Sequence, residues 1–289
     1  MKYLMNAFLI GGLLLQPMYS SPEESRSLKI LLTNDDGWSA IGIRLLKTAL
    51  KRAGHEVVVV APNMNYSGTS AMLTRADPEV EELEDLSYSV SASPATCVLL
   101  GLTAIYTLEE PPDLVVSGIN HGANLGPAIS FSGTVGAATM ALTFGIPAIA
   151  VSADPIGKPG EDPSFIEHYE RVADFTARFI NRISQNQSGL VLPSGSGLNL
   201  NYPPLVREKV QGIRMSVQGR STEHFPGFLR TEDGNYLSLL VELNQDDPSE
   251  SDVANYNRGF ITVMPFNNDR SLGGAEFKSL NDRLSDLSP

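Results

Sequence analysis

One cysteine, Cys97, occurs in 289 residues, so no disulfide can form within the chain. Positive charge is also scarce: 21 Lys and Arg stand against 33 Asp and Glu, for a net charge of −12. That balance excludes the broad basic surface that a nucleic-acid polymer needs. A small anion can still bind such a chain where a cation or backbone amides neutralise it locally. No internal repeat or low-complexity segment is present. The P-loop spacing with its lysine is missing, and so is a Gly-x-Ser-x-Gly nucleophile elbow. Hydrophobic residues make up 42%, which is ordinary for a globular enzyme.

What is present begins with an apolar run. Lys2 precedes Leu4 to Leu15, broken only by Asn6, and small residues follow at Ser20 and Ser21. Residues 1–20 therefore read as a signal peptide, with export to the periplasm or the exterior expected and no stable membrane insertion once it is cleaved. The run is short for a membrane span of about 20 residues.

Beyond Ser27 the chain alternates short aliphatic strands with amphipathic helices. Strands are expected at 28–33, 57–61, 114–119, 148–152 and 197–202. Helices are expected at 42–53, 94–106, 134–144 and 164–184. Continuous aliphatic runs such as Val57–Val60 suit strands covered on both faces. The strand–helix order predicts a doubly wound, mostly parallel α/β sheet over 28–205. From 206 to 289 the pattern changes to alternation around the turn signal Asp233-Gly234-Asn235. This part is expected to be a peripheral antiparallel hairpin extension that serves self-association.

In such a sheet ligands sit beyond the carboxyl ends of the strands. Three of these ends carry polar, glycine-containing loops: Asn34-Asp35-Asp36-Gly37, Asn63-Met64-Asn65-Tyr66-Ser67-Gly68 and Asn120-His121-Gly122-Ala123-Asn124. Adjacent carboxylates repel unless a cation joins them, and a hard divalent ion prefers Asp, Asn and Ser oxygens. Ser132-Gly133-Thr134, just before a helix, offers amides and hydroxyls to an anion, or a plain helix cap. His121 is either a pocket residue or a surface one, and Cys97 in its apolar helix reads as packing.

Longer blocks resemble one family. Ile30-Leu31-Leu32-Thr33-Asn34-Asp35-Asp36-Gly37, Val59-Val60-Ala61-Pro62 with Ser67-Gly68, Pro112 to Gly126, Ser132 to Ala138 and Gly259 to Val263 resemble the SurE survival-protein family of 5′-nucleotidases. The resemblance implies one divalent cation per chain, Mg or Mn, on Asp35, Asp36, Ser67 and Asn120. It makes Asp35 and Asp36 the catalytic pair. It implies phosphate contacts from Asn34, Asn124, Ser132, Gly133 and Thr134, nucleoside 5′-monophosphates as substrates, and a homodimer or homotetramer. Tyr66 and Met64 replace basic residues usual in the family, which removes positive charge beside the site. A broad acid phosphatase or exopolyphosphatase using the same residues, or a nucleotide-binding protein without catalysis, stays open on the residues alone.

Overall fold

Four consecutive valines, Val57 to Val60, can all leave water only if helices cover both faces of their strand, and the structure is built that way. The computed structural model describes residues 26–158, 162–184, 192–271 and 274–284. The expected leader, residues 1–20, lies outside the described residues. No described helix is long and apolar enough to cross a membrane.

The first half runs β1 (Lys29–Thr33), α1 (Ile41–Arg52), β2 (Glu56–Pro62), β3 (Val80–Leu83), β4 (Ser87–Val90), α2 (Pro94–Leu100) and β5 (Leu114–His121). Then come α3 (Gly133–Thr143), β6 (Ala148–Ala153), α4 (Pro163–Ser184) and β7 (Ser196–Tyr202). The rest is β8 (Ile213–Met215), β9 (Thr222–Arg230), β10 (Tyr236–Leu243), α5 (Asp252–Asn257), β11 (Ile261–Asn267) and α6 (Gly274–Leu284). One nine-stranded sheet has the order β3-β4-β2-β1-β5-β6-β7-β11-β8. Its six central strands are parallel.

Alternate residues face opposite layers, as the two-residue period of a strand requires. Ile30, Leu32, Val57, Val59, Leu114 and Val116 pack under α1 and α4, against Leu46, Leu50, Tyr169 and Val172. Leu31, Val58, Val60 and Val115 pack on the other side, against Val98 and Leu102 and against Val135, Ala138 and Ala141 of α3. α4 reaches this core through Phe165, Tyr169, Val172, Ala173, Thr176 and Ile180, the three-to-four spacing of one helix face. Cys97 is fully buried in α2, and burial pushes its thiol far up, which leaves it inert at neutral pH.

The region after 206 divides. β9 and β10 form the separate antiparallel hairpin, whereas β11 pairs antiparallel with β7 and β8 runs parallel beside β11 inside the main sheet. Ile261 and Val263 of β11 are buried core, so its apolar run belongs with the core strands rather than with the alternating hairpin. The β3–β4 pair was not foreseen. It is four residues a side, with Glu81 and Glu82 exposed on the outer strand β3 and Ser87-Tyr88-Ser89-Val90 in β4.

The chain order fixes where a ligand can go. From β1 it moves outward to β2 and β4, then returns past β1 to β5, β6 and β7. The ends of β1 and β5 therefore diverge into a crevice. Leu31, fully buried in β1 with its methyls against Gly101, reports on the integrity of this junction. Leu31→Ala is expected to cost about 2–5 kcal/mol of unfolding free energy, read as a lower midpoint in urea at an unchanged slope.

Candidate active site

The carboxylates follow directly from β1, and neither is exposed. Asp35 is 2% exposed, and the Asp36 side chain is 7% exposed. Asp35 Oδ1 accepts a 2.6 Å hydrogen bond from Thr134 Oγ1 in the first turn of α3. Asp36 Oδ2 accepts the backbone N–H of His121 at 3.0 Å, from the end of β5. Asp35 is thus held by the start of α3 and Asp36 by the end of β5.

Loop 63–68 closes a third side. Tyr66 N–H donates to the Asp35 carbonyl at 2.8 Å, and Asn65 Nδ2 reaches Asp36 Oδ1 at 3.4 Å. Asn65 Oδ1 also accepts the Ser67 N–H at 2.7 Å, which turns the chain at Ser67. Gly133 allows the closest approach. A Cβ there would lie 2.8 Å from Asp35 Cβ and 3.1 Å from the Tyr66 carbonyl, so only glycine lets α3 begin against the carboxylate.

Asn120 is buried and its amide nitrogen donates to Gly122 O at 2.8 Å, which leaves the carbonyl oxygen as the end that could take a cation. Asn34 gives its amide to Gly37 O at 2.9 Å, while its buried Oδ1 has no partner among the described residues. The hydroxyls next to the expected anion site are already engaged. Ser132 Oγ caps α3 by accepting Val135 N–H, and Thr134 Oγ1 serves Asp35. What α3 offers an anion is its first-turn amides and its dipole.

Asn124 is buried, and its amide nitrogen donates to Ser152 Oγ at 2.9 Å and to Thr134 Oγ1 at 3.5 Å. Two residues absent from the sequence reading hold it. Asn201 accepts Asn124 N–H through Oδ1 at 2.7 Å and donates Nδ2 to Asn124 O at 3.1 Å, while Asn199 donates to the same carbonyl at 2.8 Å. The signal was there: Asn199-Leu200-Asn201 puts two amides on one face of a core strand, a costly placement unless they have work. Asp154 was also missed, because it follows β6 without a motif. Its Oδ1 accepts Ala123 N–H at 2.8 Å and its Oδ2 accepts the Tyr256 hydroxyl at 2.7 Å. His121 sits edge-on to Phe165 and Tyr169, with Nδ1 4.0 Å from Asp36 and its side chain 32% exposed, so it lies at the solvent edge of the site.

Burial pushes both carboxyls up to about 6. For Asp35 the neighbouring Asp36 charge adds to the rise and the Thr134 bond opposes it. Burial also lowers the imidazole of His121, so it brings little positive charge. Among the described residues no cluster of three or more His, Cys, Asp or Glu side chains gathers. The groups that contact the two carboxylates are neutral: the Thr134 hydroxyl, the Asn65 amide and the His121 N–H. Two adjacent carboxylates among neutral groups suit a hard divalent cation, and among the described residues no Lys or Arg forms an ion pair with either.

The fold and these residues define a doubly wound α/β protein with a paired-carboxylate, oxygen-lined site at its topological switch point. Residues 30–224 match the family model described as Survival protein SurE. The 5′-nucleotidase SurE of Thermosynechococcus vestitus is 37% identical over 261 residues, covering 85% of this chain and 93% of its own length. That of Microcystis aeruginosa is 36% identical over 259 residues, 83% of this chain and 91% of that one. The crystal structure of the SurE protein from Aquifex aeolicus superposes with a TM-score of 0.73 at 32% identity, over 89% of this chain and 99% of that one. The chain belongs to the SurE family.

The raised carboxyls carry a sign for stability. The folded protein holds these protons more tightly than the unfolded chain, so metal-free stability falls as pH rises from about 4 to about 6. Asp36→Asn is expected to gain about 1–3 kcal/mol at pH 7 in metal-stripped protein, a Tm rise of several degrees that fades toward pH 4. A lower Tm for the variant at pH 7 would contradict the account.

Proposed function

We propose that this chain hydrolyses nucleoside 5′-monophosphates to nucleoside and inorganic phosphate, with a divalent cation on Asp35, Asp36, Ser67 and Asn120. One observation carries the reading: two adjacent buried carboxylates, with no Lys or Arg paired to them among the described residues, face the start of a helix able to take an anion. The 5′-nucleotidase names of its relatives support the substrate class.

When bound, the cation supplies charge neutralisation and polarises the phosphate. The chain supplies the rest. The first turn of α3, from Ser132 through Gly133 and Thr134, receives the phosphate oxygens, with Asn34 and Asn124 bordering the same space. Thr134 keeps Asp35 charged and oriented, and the His121 amide does the same for Asp36. One of the two carboxylates takes the proton that the attacking water gives up. The apolar run behind Lys2 supports placing this activity outside the cytoplasm, in the periplasm or medium.

The hairpin supports self-association as a homodimer or homotetramer. Leu229, Leu237 and Leu239 share one face of the β9–β10 ribbon at 58%, 58% and 37% exposure, a stripe that an isolated two-stranded sheet does not bury by itself.

Phosphate release from AMP and GMP should vanish in EDTA and return with Mn²⁺ or Mg²⁺, and Asp36→Asn should remove ~100–1,000-fold of the restored rate. Folded protein that binds AMP and never turns it over with any metal would replace this reading with a nucleotide-binding protein. For the hairpin, light scattering should show two or four chains for the natural protein and one for Leu229→Lys/Leu237→Glu, a cross-strand pair that charges the face while keeping the ribbon paired. A monomeric natural protein at micromolar concentration would end the assembly proposal.

A further inference from the structure

Positive charge is scarce in this chain, 21 Lys and Arg against 33 acidic residues, so a place where arginines outnumber carboxylates stands out. One lies on the α1–α4 side of the sheet. A cavity of about 400 Å³ opens there between the end of α1, the second half of α4 and the turn at Arg207–Lys209 after β7. Each of the three contributes one arginine to the wall: Arg52, Arg178 and Arg207. Among the described residues a single carboxylate, Asp174, lines it with them.

Helical spacing builds this wall. Asp174, Ala177, Arg178 and Asn181 stand three or four apart, on one face of α4. Ala49 and Ala53 at the end of α1 complete the floor, and with Ala177 they are small enough to leave open space between the guanidiniums. Asp174 pairs with Arg52 across the two helices. The other two cations are not neutralised. Arg178 Nε reaches the Asp174 backbone carbonyl at 3.3 Å, and the Arg207 guanidinium has no hydrogen bond or ion pair among the described residues. Their fields overlap at Tyr202, buried at the end of β7. Burial raises its phenol, and Arg171, Arg178 and Arg207 together oppose that rise. The cavity beside Trp38 is mostly aliphatic with Lys47 committed to Asp85 and Ser87, and the one beside α3 sets Arg270 next to Asp269. Neither gathers two uncommitted arginines.

We propose that this cavity is a second anion site, which binds an oligophosphate of two or three linked phosphoryl groups, free or as the tail of a nucleoside di- or triphosphate. A guanidinium offers paired planar donors that match phosphate oxygens, and two of them from different elements suit an anion with more than one phosphoryl group. The volume lies within the usual range of ligand pockets, ~300–1,000 Å³, and leaves room beyond a single phosphate. The site is separate from the carboxylates. Tyr169 touches His121 at the carboxylate end of α4, and Asp174 to Asn181 lie ~8–18 Å further along the helix. Losing one of the two free arginines corresponds to about tenfold in Kd. None of this depends on the hydrolase reading, because binding is measured without turnover.

The test titrates pyrophosphate, tripolyphosphate and ADP into the full-length protein in EDTA at low salt, by calorimetry, with and without saturating AMP. Pyrophosphate should bind one site per chain, undisplaced by AMP, and weaken as salt is added. Arg207→Ala should weaken it about tenfold, and Arg178→Ala/Arg207→Ala should abolish it at an unchanged ligand-free Tm. Asp174→Asn removes the carboxylate and frees Arg52, so it should tighten binding, a gain that a damaged fold does not produce. Tighter binding of ADP than of pyrophosphate assigns the site to a nucleotide tail, and equal affinity assigns it to the free oligophosphate. Displacement of pyrophosphate by AMP, or full affinity in the double variant, would place the anion at the carboxylate site and overturn the proposal. So would the absence of binding at millimolar pyrophosphate, or an Asp174→Asn variant that binds no tighter than the natural protein.

Discussion

Two neighbouring carboxylates are kept out of water at the end of β1, and much of the surrounding structure follows from that constraint. Their burial would be costly for charged groups without donors. The fold answers from three directions, with Thr134 on Asp35, the His121 amide on Asp36, and loop 63–68 closing over both. The answer is incomplete, since both carboxyls still sit near 6. A site left with that residual need for positive charge is poised for a cation. That a single glycine, Gly133, permits the start of α3 to touch Asp35 shows how little space the arrangement leaves.

The second layer is less visible and more expensive in polar groups. Asn124, Ser152, Asn199 and Asn201 form a buried network that reaches the start of α3 through the Asn124–Thr134 contact. An apolar replacement could fill the same volume, but it could not fix the backbone of Asn124 through both its N–H and its C=O. Such networks trade stability for a defined geometry, provided their members are satisfied. Here Asn199 Oδ1 remains without a partner among the described residues. The remaining cost falls where the loop bearing Asn120 and His121 must hold still.

Much of this was legible in the sequence, and the gaps have physical causes. The central strands announced themselves through aliphatic runs, and their ends through the polar loops after β1, β2 and β5, of which Asn65, Tyr66 and His121 contact the Asp35-Asp36 turn. The β3–β4 edge was not legible, because strands of four residues are too short for a period to stand out. β11 was placed with the hairpin because local alternation does not reveal which sheet a strand joins; Ile261 and Val263 decide that through burial, a tertiary fact. Asn199, Asn201 and Asp154 act through partners 30 or more residues away, and no local pattern encodes such pairings.

A comparison within the molecule shows what separates a structural carboxylate from a reactive one. Asp252 is fully buried, and burial raises its pKa too, yet three backbone N–H groups converge on it and oppose that rise. Asp36 receives one such amide, and Asp35 relies chiefly on a side-chain hydroxyl. Backbone amides are fixed in place and cannot be withdrawn, so Asp252 is committed to clamping the hairpin base against Gly126. The site pair keeps oxygens uncommitted, which is a liability for the empty fold and the condition for holding a ligand. Burial therefore does not by itself set Asp35 and Asp36 apart from Asp252; the shortage of donors around them does.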